Sequence, residues 1–148
     1  MEKDAKKNNT EENIEKTIQI KDKEYYEILN KYKNTDKKST TLLVVNGLII
    51  LLLISLNIFS VVQKMVTILT LISIILLMLS LREYDIKTLE DVFEVNKKCN
   101  FNKKLLETYE NAIDNNKGIV EKKGFYYTLA SGITIIAIVL IILIVIFK

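Results

Sequence analysis

Outside its apolar runs, the groups on this chain that could do chemistry are carboxylates. Glu90, Asp91 and Glu94 form one set and Glu107 and Glu110 another, spaced so that neighbours share a helix face. Paired carboxylates can exchange protons in acid/base catalysis or hold a hard cation. Here nothing completes either role. The chain has no His, and neither a nucleophile elbow nor a phosphate-cradling glycine loop accompanies them. The carboxylates therefore read as solvated helix faces: no catalytic residue, metal ligand or cofactor is expected, and the chain reads as a non-enzyme. Cys99 is the single cysteine. Without His it has no Cys/His zinc partner and no internal disulfide, so it reads as a reduced cytosolic thiol.

The dominant elements are three stretches without a charged side chain, 39–63, 65–81 and 124–147. A hydrocarbon core of ~30 Å needs about 20 apolar residues at ~1.5 Å rise each. The first and third runs supply that length. The second, at ~25 Å, must stand nearly upright or draw Gln63 and Leu81 into the boundary. The chain thus reads as an all-α integral membrane protein with transmembrane helices at 41–63, 65–81 and 125–147. Only Val61 to Met65 is available to link the first two, which makes spans 1 and 2 a tight hairpin.

Basic residues in the flanks set orientation. Lys31, Lys33, Lys37 and Lys38 precede span 1, and Lys64 alone lies between spans 1 and 2. Arg82, Lys87, Lys97 and Lys98 follow span 2, Lys117, Lys122 and Lys123 precede span 3, and Lys148 follows it. The expectation is a multi-pass protein of the cell membrane, with N-terminus and central loop cytoplasmic and C-terminus outside. Tyr84, Tyr126 and Tyr127 fall at the inner interface, where aromatic residues anchor spans. The two charged segments carry 10 and 9 basic against 9 and 9 acidic residues. Such balance excludes nucleic acid as a main partner, since phosphate binding needs a cationic excess.

Residues 1–20 lack apolar periodicity and read as a flexible charged tail. Tyr25, Ile28, Leu29 and Tyr32 then follow i, i+3, i+4, i+7 spacing, which predicts an amphipathic helix over 21–38. Over 82–124 two stripes appear. Ile86, Leu89, Val92 and Phe93 prolong span 2, and Leu105, Tyr109, Ala112, Asn116 and Ile119 alternate spacings of four and three as in a coiled-coil seam. They predict that spans 2 and 3 extend into a cytoplasmic antiparallel helical hairpin. The absence of proline after Asn102 lets the second helix continue into span 3, with Gly118 and Gly124 as the places to bend.

Within the spans, Asn46, Asn57 and Ser60 lie near one face of span 1. They form an intramembrane polar seam, read as interhelical glue or, in an assembly, as the lining of a small aqueous path. Gly124, Thr128 and Gly132 repeat every four residues as a ridge for close helix packing, within the chain or between copies.

The order of these parts resembles the membrane-spanning Pycsar effector family of anti-phage systems, or a related small multi-span anti-phage effector. The similarity runs over most of 25–147. It is carried by Asp36 with Lys38, or with adjacent Lys37, before Thr40-Thr41-Leu42-Leu43 and Asn46-Gly47; by the tight two-span hairpin; and by Lys122-Lys123-Gly124-Phe125-Tyr126-Tyr127 before the last span. Ser39 stands where the family often has Ala, and no cyclic-nucleotide-binding domain is recognisable. The resemblance implies an effector that homo-oligomerises on a cytoplasmic protein or cyclic-nucleotide signal and compromises the bilayer. A different class, a non-enzymatic scaffold or adaptor whose helical stalk binds a partner, fits the same architecture.

Overall fold

The computed structural model describes residues 2–56, 61–82, 84, 86 and 101–146. Among them all regular structure is helical: α1 (Glu2–Leu56), α2 (Val61–Leu81) and α3 (Phe101–Ile146). The chain has no proline, so no residue lacks an amide donor or clashes with the preceding turn. Each helix contains a stretch long and apolar enough to cross a membrane. The boundaries expected at 20/21 and 38/41 vanish inside α1, which is one 55-residue helix. Its charged first half is rich in Glu and Lys, both good helix formers, and the lack of apolar periodicity there did not reveal this. The α3 helix likewise passes Gly118 and Gly124 without a break.

The described residues form two compact units. The first combines 1–31 with 84–120 and the second combines 32–83 with 121–148. In the first unit Tyr25 and Ile28 of α1 pack with Tyr109, Ala112 and Ile113 of α3, flanked by Ile18, Leu29, Leu105 and Val120. The Tyr25 and Tyr109 rings meet edge to face with centroids 6.1 Å apart, the arrangement aromatic quadrupoles prefer. Tyr109 also donates a 2.7 Å hydrogen bond to Asp22.

This core includes part of the expected seam. Tyr109, Ala112 and Asn116 are buried, and Leu105 and Ile119 are half-buried, so the buried face is the one the spacing indicated. The neighbours that the structure gives it lie on α1. The stripe proposed as its partner, Leu89, Val92 and Phe93, lies outside the described residues, as does Cys99. Both stripes are generic apolar faces, and spacing alone cannot choose between them.

In the second unit Ile49, Leu53, Val66 and Ala137 form a core, lined by Val45, Leu140, Ile141 and Ile144. Ser39 of α1 meets Ser80 of α2, and seven residues further along α1 Asn46 meets Ser73, seven residues back along α2. The two helices therefore run in opposite directions. Gln63 extends the pattern, donating a 2.8 Å hydrogen bond to the Leu53 carbonyl. The α1 and α3 helices run parallel, since Asp36 pairs with Lys123 and Asn46 with Thr134 at sequence separations of 87 and 88. A separation of 87 also relates Asp22 to Tyr109 in the first unit.

Candidate functional site

The second unit is inverted relative to a water-soluble core. Along α2 the buried positions are Val66, Thr70, Ser73, Leu77 and Ser80, three of them polar, while Met65, Ile68, Leu71, Ile75 and Met78 are exposed. On α1 Ser39 and Asn46 are fully buried beside exposed Val44, Leu48 and Leu51. Hydroxyls at the margin bond within their own helix. Thr40, Thr41, Thr67 and Thr128 donate to the carbonyls of Asp36, Lys37, Gln63 and Gly124, four residues back, which satisfies them without water. Four other hydroxyls reach between helices and, with Asn46 and Lys123, build two polar layers.

The inner layer joins Asn46, Ser73 and Thr134, one residue from each helix. The Asn46 amide donates to Ser73 Oγ at 3.0 Å, Ser73 and Thr134 hydroxyls lie 2.8 Å apart, and Thr134 donates to Asn46 Oδ1 at 3.1 Å. Each hydroxyl has one proton. Passing it from Ser73 to Thr134 and from Thr134 to Asn46 closes a ring in which every member donates once and accepts once. The Ala130 carbonyl stands by as an alternative acceptor, 3.0 Å from Ser73 and 2.9 Å from Thr134. Ala130 itself is fully buried, and its small side chain lets the carbonyl come this close.

The outer layer lies ~10 Å away along α1. Ser80 donates to the Lys123 carbonyl at 3.1 Å, which uses its proton, so Ser39, 3.0 Å from Ser80, is the donor of that pair. The Lys123 side chain has 0% exposure. Its ammonium lies 2.7 Å from Asp36 Oδ1 and 3.6 Å from the centroid of the Tyr32 ring, so a carboxylate and an aromatic face replace water around a buried cation. The Asp36 side chain is 32% exposed, so removing one partner costs less than the about 3–5 kcal/mol typical of a fully buried pair.

The site residues expected from sequence fare differently. Asn46 belongs to a polar layer, as glue between helices. That layer runs across three helices, while Asn57 and Ser60, expected to prolong it along α1, lie outside the described residues. Asp36 finds its cation on α3: Lys37 and Lys38 are exposed, and Lys123 is the partner. Among the described residues the Gly124, Thr128 and Gly132 ridge is not the face that packs within the chain. Thr128 and Gly132 are exposed, Gly124 is half-buried, and a Cβ added to either glycine would meet nothing within 4 Å. Close approach on α3 uses Ala130 and Ala137 instead, both fully buried.

Sequence reasoning passed over Ser39, Ser73, Ser80, Thr134 and the pairing of Lys123. A signal was present. Ser39 and Asn46, like Ser73 and Ser80, are seven residues apart, the repeat at which a helix returns to one seam. Among the described residues no cluster of acidic, Cys or His side chains has the makings of a metal site. No protein-family model, curated protein or solved structure matches the chain.

Proposed function

We propose that this chain is a three-span membrane protein and a non-enzymatic effector that compromises the bilayer on a cytoplasmic signal. The observation that carries the membrane placement is the inversion of the second unit, with hydroxyls and an amide turned inward and Ile, Leu and Met turned outward. In water this arrangement exposes apolar surface without return, while in lipid the inward hydroxyls and the Asn46 amide pair with one another and the chains of the bilayer lie against aliphatic side chains. Opposed α1 and α2 with parallel α1 and α3 suit three successive crossings, and the basic flanks favour a cytoplasmic N-terminus and central loop.

The effector role rests on the resemblance to Pycsar membrane effectors. It gains support from the way α1 and α3 each contribute to both units, so that the helices which would receive a signal are those that enter the bilayer. Homo-oligomerisation is part of this reading, and the outward Gly124, Thr128 and Gly132 ridge is its natural contact. The test is membrane potential, read by dye fluorescence in cells induced to express the chain, with and without phage challenge, alongside alkaline extraction of the membranes. The expected outcome is a protein that resists extraction and depolarises challenged cells. Resistance to extraction with a steady potential in both states would transfer the assignment to a scaffold or adaptor. Tyr26, exposed on α1 in the first unit, suits that second reading as a partner contact.

A further inference from the structure

Three residues of the second unit form a device that neither the membrane placement nor the effector role requires. Lys123 is the last charge before the apolar run of α3, and Asp36 is the last acid before the apolar run of α1. Their 2.7 Å ion pair, with the ammonium 3.6 Å over Tyr32, ties the two parallel helices together where their charged and apolar parts meet. In the second unit the seam on both helices repeats every seven residues: Tyr32, Ser39, Asn46 and Leu53 on α1, and Lys123, Ala130 and Ala137 on α3. Apolar positions in such a repeat tolerate a slip of one heptad, whereas a polar residue in the seam fixes the register. A slip in either direction would set the Lys123 ammonium against Leu29 or Leu43 in place of the Asp36 carboxylate.

We propose that the Asp36–Lys123 pair, capped by Tyr32, is a latch that holds α1 and α3 in one register and must open before the chain acts on the bilayer. The gating half of this rests on the effector reading above, and the register half does not. An open latch leaves an ammonium and a carboxylate at the edge of the hydrocarbon, where each seeks water or a lipid headgroup. The opened helices are therefore free to repack with other copies, while the closed latch keeps the single chain satisfied.

Lysine acetylation of the full chain in detergent micelles tests the latch directly, because Lys122 is exposed and Lys123 is buried, so adjacent residues serve as reference and probe. Peptide mass spectrometry should find Lys123 modified about tenfold more slowly than Lys122 in the wild type and at a similar rate in Asp36→Ala. Asp36→Asn, which buries no new charge, replaces Asp36→Ala where the latter is degraded, and the amount in the membrane fraction normalises every comparison. In cells, Asp36→Ala and Lys123→Asp should depolarise at lower expression than the wild type. The exchange Asp36→Lys with Lys123→Asp should move the threshold back. Lys123 labelling as fast as Lys122 in the wild type, or unaltered by loss of Asp36, overturns the latch. Depolarisation by the wild type with an unshifted threshold in both single variants overturns gating while the effector reading stands. If no form depolarises cells yet labelling follows Asp36, the effector reading fails, gating falls with it, and the pair is a register lock alone.

Discussion

The ring of Asn46, Ser73 and Thr134 makes a quantitative prediction. Asn46→Leu keeps the number of side-chain heavy atoms and removes two hydrogen bonds, the 3.0 Å donation to Ser73 and the 3.1 Å acceptance from Thr134. Interhelical hydrogen bonds within a membrane average about 0.6 kcal/mol and reach about 1.7. The substitution should thus cost ~1.2 kcal/mol, and no more, because Ser73 and Thr134 retain each other and the Ala130 carbonyl and no hydroxyl is orphaned. Thr134→Val, nearly isosteric, removes the other end of the bond to Asn46 together with the 2.8 Å bond to Ser73. The double variant should then show a coupling of ~0.6 to 1.7 kcal/mol, so that the two losses do not add. The assay is reversible unfolding in mixed micelles of dodecylmaltoside and sodium dodecyl sulfate. It is followed by energy transfer between dyes on Lys38→Cys and Lys122→Cys, both exposed positions, with Cys99 replaced by Ser. A coupling below ~0.3 kcal/mol is what independent sites give, and it would refute the ring.

Two further outcomes concern the first unit. Burial, then the hydrogen bond to Asp22 and its charge, push the Tyr109 phenol from 10.0 up to about 12. The neutral form is the one favoured in the folded chain, so its contribution to stability is complete below the unfolded value and fades as pH rises from about 10 to 12. The phenolate absorbance lost in Tyr109→Phe should have its midpoint near the upper value, and a midpoint near the ordinary tyrosine value would remove the buried hydrogen bond. Gly118 is exposed inside α3, and a Cβ there meets nothing within 4 Å. Gly118→Ala should stabilise the helix by about 0.5–1 kcal/mol, slowing amide exchange over 114–120 about two- to fivefold. Faster exchange would mean that the position needs glycine for a reason other than helix geometry.

What the sequence made legible, and what it did not, follows from which interactions leave a periodic trace. Apolar length and charge-free runs marked three helices able to cross a membrane, and the seam through Tyr109, Ala112 and Asn116 was visible because helix burial repeats at spacings of three and four. That α1 also packs on the seam was not visible. Any apolar stripe satisfies another to a similar degree, and the stripe on α1 lies about 80 residues upstream of the one it meets. Helix continuity through 2–20 was missed for the opposite reason, since a charged helix without a buried face has propensity but no pattern.

Pairwise polar chemistry is what breaks this degeneracy. Asp22 pairs with Tyr109 in the first unit, and in the second Asp36 with Lys123 and Asn46 with Thr134 lie at separations of 87 and 88, so within each unit polar pairs fix the local offset of α1 against α3. Apolar seams repeating every seven residues would accept other offsets at small cost. The Asp36–Lys123 pair moved by a heptad would instead set a buried ammonium against Leu29 or Leu43, which costs more than the about 1–3 kcal/mol of a stranded neutral group. The information that fixes the fold is therefore concentrated in a few buried polar residues at heptad spacing, the residues that a reading based on hydropathy sets aside. In a chain with so much aliphatic surface, they distinguish one arrangement of helices from its neighbours. A bilayer strengthens that distinction, because it offers a misplaced partner no water.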